Sequence, residues 1–209
     1  MKSSEISESI SKIDLEDNPI ILARVDPVAY YPLRWELLKH FKDQGVALVS
    51  LNMPCYEISS NLKEKSIEIP KLFVVDGQSP EMAPDWLPAA CGQVPKVRST
   101  TYPGAPGSLT GLSITMRKLF AKNRFDLVIL DSLSTLFIYN EPHQTQRFVH
   151  ALIEKLRSSN TAGIFIVLEG SPYGAEISGV SQFFDSTIQF AAVVSKRKEP
   201  PVHLELGST

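Results

Sequence analysis

Phe125-Asp126-Leu127-Val128-Ile129-Leu130-Asp131-Ser132 sets the terms on which the whole chain is read. Leu127 to Leu130 are four consecutive apolar residues between two acids, with no alternation that would leave one face to water. A strand apolar on both faces is a central strand of a parallel sheet covered by helices. Asp131 then emerges at the carboxyl edge of the sheet, where open α/β folds bind ligands. Two roles fit it there. A carboxylate at this point holds Mg²⁺ through water in nucleotide hydrolases, and a polar residue ending a strand also caps the turn that follows.

Working outward, further buried strands are expected at Pro19–Ala23, Val46–Leu51, Lys71–Asp76 and Thr161–Leu168, with a short edge strand at Val97–Thr101. Helical spacing falls between them. Leu33, Trp35, Leu37, Leu38 and Phe41 mark one helix, with Pro32 in its first turn, where a missing N–H costs nothing. Others are expected at Tyr56–Lys63, Ser108–Lys122, around Phe148–Leu156 and at Ile177–Phe184. Ser132–Phe137 reads as running into a loop closed near Pro142, and the tail as a hairpin of Thr187–Val194 and Val202–Leu206. Strands alternating with helices give an α/β fold, a three-layer sandwich around a mostly parallel central sheet, with a C-terminal β-hairpin.

A chain of 209 residues with 43% hydrophobic content has ample material for a core, and its net charge of -2 excludes a strong electrostatic preference for one partner. Residues 1–18 form a polar segment suited to a loosely docked helix, and 19–209 a single domain with a long Pro- and Gly-rich excursion at 78–107. The N-terminal residues lack the apolar run of a signal peptide and no segment approaches a membrane span, so a cytoplasmic protein without membrane contact is expected. Cys55 and Cys91 have no zinc or redox spacing, and no two of His40, His143, His150 and His203 lie one helical turn apart, so no metal site is expected. Gly104–Gly111 opens a helix but has no Lys, and reads as a loop with Ser108 as N-cap. Ser171 lacks a GxSxG frame, and Lys196-Arg197-Lys198 reads as a solvated turn.

Leu127–Ser134 resembles the Walker B strand of the RecA/KaiC-like ATPases and the Ser-rich turn after it. The step from the Phe148 helix to the Ile164–Leu168 strand, and the phrase Phe184-Asp185-Ser186-Thr187-Ile188-Gln189, are similar to later parts of the same family. The resemblance spans roughly residues 19 to 195 and implies a RecA-like P-loop NTPase fold with Asp131 and Ser132 as the remains of a Walker B site. It also implies a phosphate loop GxxxxGK[ST] after the first strand, where Gly frees backbone N–H groups to wrap phosphates while Lys and Ser/Thr reach phosphate and Mg²⁺. This chain has Arg24-Val25-Asp26-Pro27-Val28-Ala29-Tyr30-Tyr31 there. It contains no Gly, Lys, Ser or Thr. Pro27 removes a donor, Tyr30 and Tyr31 crowd the cradle, and Asp26 sets a negative charge beside it. The family's catalytic carboxylate is expected past the second strand, where this chain has Asn52-Met53-Pro54, and an amide is no general base.

The degenerate P-loop leads to the expectation of a pseudo-ATPase with no catalytic residue and no cofactor, ATP and Mg²⁺ being disfavoured. Such a protein works in regulation or assembly through protein contacts, with RNA or DNA as a further partner class. The resemblance also implies a homo- or hetero-oligomer, since RecA-like folds pack side by side. Trp86, Leu87 and Tyr102, in the excursion, offer a contact surface. The alternative is a nucleotide- or metal-binding sensor, or weak ATPase, that uses an atypical phosphate loop and the strand-end residues Asp26, Asn52, Asp76, Asp131 and Glu169. On the sequence alone, Asp131→Ala is expected to change stability modestly.

Overall fold

Val46–Ser50 and Leu127–Asp131 are buried at every residue, which is what a strand with helices on both faces requires. The computed structural model describes residues 3–78, 98–101 and 106–190. Its strands are β1 (Ile20–Val25), β2 (Val46–Ser50), β3 (Leu72–Asp76), β4 (Arg98–Thr101), β5 (Leu127–Asp131), β6 (Ala162–Leu168) and β7 (Ser186–Phe190). They form one sheet in the order β4-β3-β2-β5-β6-β1-β7, and each pairing is parallel. The helices are α1 (Ser3–Ile10), α2 (Pro27–His40), α3 (Cys55–Glu64), α4 (Leu109–Lys122), α5 (Leu133–Tyr139), α6 (Pro142–Ser158) and α7 (Gly174–Ser181).

Alternate strand residues feed two cores, and this makes three layers. Ile21, Leu48, Ile129 and Ile164 face α1, α2 and α3. Leu22, Val49, Leu130 and Phe165 face α4, α5, α6 and α7. The α/β sandwich expected from the sequence is therefore the observed fold, and Ser108 caps α4 by accepting the Gly111 N–H at 3.0 Å. In α1, Ile6 and Ile10 are completely buried. Each such burial is worth about 1.5–3 kcal/mol, which anchors this short polar helix. Gly163 lets β6 approach α6 closely, since a Cβ there would lie 2.7 Å from Leu156 Cδ1.

The chain runs outward through β2, β3 and β4, then returns to place β5 on the other side of β2. The helix after β2 covers one face and the helix after β5 the other. The carboxyl ends of β2 and β5 thus flank the switch point at which open α/β sheets bind ligands.

Two expectations need correction. The helix expected from Leu33 begins at Pro27, so Arg24–Tyr31 is not a loop. Asp26 alone joins β1 to α2, as an N-cap whose carboxylate accepts the Val28 N–H at 2.8 Å, and Pro27 occupies the first helical turn. Pro32 consequently lies inside the helix, where its missing N–H removes one helical hydrogen bond, to the Val28 carbonyl. The segment after Asp131 is also not a loop. Ser132 caps α5 by accepting the Thr135 N–H at 3.3 Å, and Leu133, Leu136 and Phe137 are buried. In the tail, β7 lies parallel to β1, while Val202–Leu206 falls outside the described residues.

Candidate functional site

Tyr30 and Arg34 are four residues apart on α2 and so share one face of the helix. That face meets the end of β5. Asp131 is completely buried between the registers of Ser50 on β2 and Ile166 on β6, and Arg34 is 2% exposed. The Arg34 Nε–H donates to Asp131 Oδ2 in a short ion pair, and the Tyr30 hydroxyl donates to Asp131 Oδ1 at 2.5 Å. Arg34 also reaches the Tyr30 hydroxyl at 3.0 Å and the Met53 sulfur at 3.3 Å.

Asn52, on the turn after β2, closes the cluster from the solvent side. Its amide donates to the Tyr30 hydroxyl at 2.7 Å and to Ser132 Oγ at 3.2 Å, while its oxygen accepts from Thr135 Oγ1 at 2.6 Å. Burial and the neighbouring Asp131 charge push the Tyr30 phenol well above its usual range, with Arg34 pulling the other way. For Arg34, burial opposes the charged form, but the facing Asp131 and Tyr30 outweigh it and the net shift is upward. The cluster therefore holds a neutral tyrosine and a charged arginine around one carboxylate. A buried charge is retained only when it is paired and hydrogen-bonded in this way.

The other strand-end acids do not converge on a common point. Asp26 caps α2. Asp76, almost fully buried, accepts the N–H groups of Cys55 at 2.7 Å and Gln78 at 2.9 Å. Glu169 accepts from the Gln189 amide at 2.8 Å. Among the described residues, no group of three or more His, Cys, Asp or Glu side chains is placed to hold a metal ion. Tyr31 turns away from the cluster and donates to Asn61 at 2.6 Å. Trp86, Leu87 and Tyr102, together with Cys91, His203 and Lys196–Lys198, lie outside the described residues. Sequence reasoning missed Arg34 and Thr135, which carry much of the cluster.

The sheet order, the switch point and the Asp131 strand define an α/β protein of the RecA/KaiC-like fold class, and solved structures agree. An uncharacterised protein, PH0321, from Pyrococcus horikoshii, crystallised in complex with an unknown peptide, superposes with a TM-score of 0.59 at 18% identity, over 89% of this chain and 82% of that one. A KaiC-like protein, PH0186, from Pyrococcus horikoshii OT3 superposes with a TM-score of 0.58 at 10% identity, over 87% of this chain and 74% of that one. At such identities the likeness establishes the fold alone. The chain belongs to DUF7504, a family of unknown function, whose profile matches residues 68–190. No curated protein matches the sequence. Among the described residues no helix is long and apolar enough to cross a membrane.

Proposed function

We propose that this chain is a RecA/KaiC-like domain that has lost ATP hydrolysis and acts in regulation or assembly through contacts with protein partners. One observation carries the reading: the guanidinium of Arg34 is seated on Asp131, the carboxylate that would hold Mg²⁺ through water in an active relative. A cation supplied by the chain itself already neutralises that carboxylate. The joint between β1 and α2 supports the same reading, because the single residue Asp26 stands where a phosphate cradle needs a glycine-rich loop. At the start of α2 the Val28 N–H is taken by the Asp26 carboxylate and those of Ala29 and Tyr30 by the Asp26 carbonyl, while Pro27 supplies no N–H at all. A polyphosphate there would meet a fixed negative charge. The residues present thus do not fit Mg²⁺-ATP, and we derive no chemical step through it.

The sensor alternative depends on acids gathered at the strand ends, yet each of those acids has a separate local partner. PH0321 was crystallised with a peptide. By fold analogy alone, that makes peptide or protein the first partner class to test here. The direct test of the proposal is phosphate release from Mg²⁺-ATP by the wild-type protein and by a folded Asp131→Asn variant. The expected result is no release above the buffer rate from either. Turnover by the wild type that Asp131→Asn abolishes would overturn the proposal.

A further inference from the structure

At the edge of the sheet opposite the Asp131 cluster, two cavities of about 330 and 490 Å³ meet at Asn123, Arg124 and Phe125. Together they form a groove from Lys71, at the start of β3, to Lys155, in the last turn of α6. The charged lining of these two cavities is Lys71, Arg124 and Lys155 against Asp126, whose Oδ2 already accepts the Gly45 N–H at 2.6 Å; beyond Asp126 an adjoining cavity carries Glu16, Asp17 and Asp185 beside Arg157, which bounds the basic stretch on that side. We propose that this groove docks an acidic segment of a protein partner. The inference rests on the reading that the chain works through protein contacts, and it names the surface and the chemistry of the partner.

Helix ends account for only part of this charge. Lys155 answers the carbonyl end of α6, where cations are normally stabilised. Lys71 and Arg124 lie on no helix, are exposed, and pair with no carboxylate among the described residues. The neighbouring Arg157, by contrast, is engaged by Asp185 at 2.7 Å and Glu154 at 3.7 Å. Among the described residues Lys71 and Arg124 thus stand without a carboxylate partner, while the cation beside the groove has two.

The lining also selects among anions. The carbonyl ends of α4 and α6 open at this edge, and their partial negative charge opposes a compact, doubly charged phosphate more strongly than a single carboxylate. The hydroxyls of Ser158 and Ser159 donate inward to the Lys155 carbonyl, at 2.9 and 2.7 Å, so the wall offers spaced charge and few convergent donors. Phe73 and Phe120 each meet Phe125 edge to face, with centroids at 6.3 and 5.8 Å, and Lys155 Nζ lies 5.8 Å from the Phe120 centroid. Rings packed on one another in this way form an apolar floor and no open platform for nucleobases. Spaced cations over an apolar floor suit an extended chain of carboxylates with apolar side chains between them.

The test is fluorescence anisotropy on the full chain with a fluorescein-labelled peptide of Glu and Leu, its Gln and Leu counterpart, and a single-stranded RNA of equal length. The Glu peptide is expected to bind in preference to the other two, and to weaken as salt rises from about 0.05 to about 0.5 M. In Lys71→Glu/Arg124→Glu its affinity falls at least about tenfold, while Arg147→Glu, in the half of α6 away from Lys155 and outside the groove lining, leaves it unchanged. If the charge-reversed protein does not fold, Lys71→Ala/Arg124→Ala replaces it. Equal binding by the groove variant, preference for RNA, or no binding to wild type overturns the inference. Nucleotide binding is read separately, so its appearance would sink the proposed function without moving this result.

Discussion

Arg34→Ala is expected to destabilise the protein by about 3–5 kcal/mol, because it leaves the buried Asp131 carboxylate without its counter-charge. For a chain of this length that lowers the thermal midpoint by roughly 6–20 °C. Asp131→Ala strands the buried guanidinium in the same way, so the modest loss expected from the sequence is replaced by a large one. The pair differs from a surface salt bridge in that both groups have left water and each is costly alone. The double variant Arg34→Met/Asp131→Asn removes both charges and keeps an acceptor for the Tyr30 hydroxyl. It should therefore be more stable than Arg34→Ala. A urea double-mutant cycle should return a coupling of about 1–3 kcal/mol between the two positions. Additive losses would mean that the two side chains are independent, contrary to the geometry.

Asp76→Ala is expected to cost about 2–3 kcal/mol through a different mechanism. The N-cap of α3 is Pro54, which has no side-chain oxygen to offer. Asp76 supplies the cap from the end of the adjoining strand by accepting the buried Cys55 N–H. Removing it leaves that donor unsatisfied away from water, for about 1–3 kcal/mol, and also loses the bond from Gln78 N–H. Asp76→Asn retains an acceptor oxygen and should lose only about half as much. Urea midpoints at unchanged slope measure both. If Asp76 instead served a ligand site, its removal would leave the unliganded protein as stable as before, or more so.

The strand that carries Asp131 was legible because unbroken apolar runs between charges have few alternative readings. The start of α2 was equally written in the chain, as an Asp N-cap followed by Pro in the first turn. The expectation of a phosphate loop at that point hid it. Arg34 had a weaker signal: Tyr30, Arg34, Leu37, Leu38 and Phe41 share helical spacing, so the arginine stands on an otherwise apolar stripe and must find a buried partner. Which partner was beyond local reading, since Asp131 lies 97 residues away. The Asn52–Thr135 bond spans 83 residues and leaves no mark in either neighbourhood. The helix after Asp131 was missed because Ser132, Ser134 and Thr135 favour turns locally, and tertiary burial of Leu133, Leu136 and Phe137 decided against that preference.

On the function proposed for this chain, Arg34 and the one-residue joint at Asp26 close the nucleotide site. Thermal unfolding with and without a large excess of ATP, ADP or GTP, each with Mg²⁺, tests it most directly, because a ligand that binds only the native state raises the midpoint by mass action. The same midpoint is expected in every condition. A Mg²⁺-dependent rise with any nucleotide would contradict it, and would return Asp131 to the role of a metal-holding carboxylate.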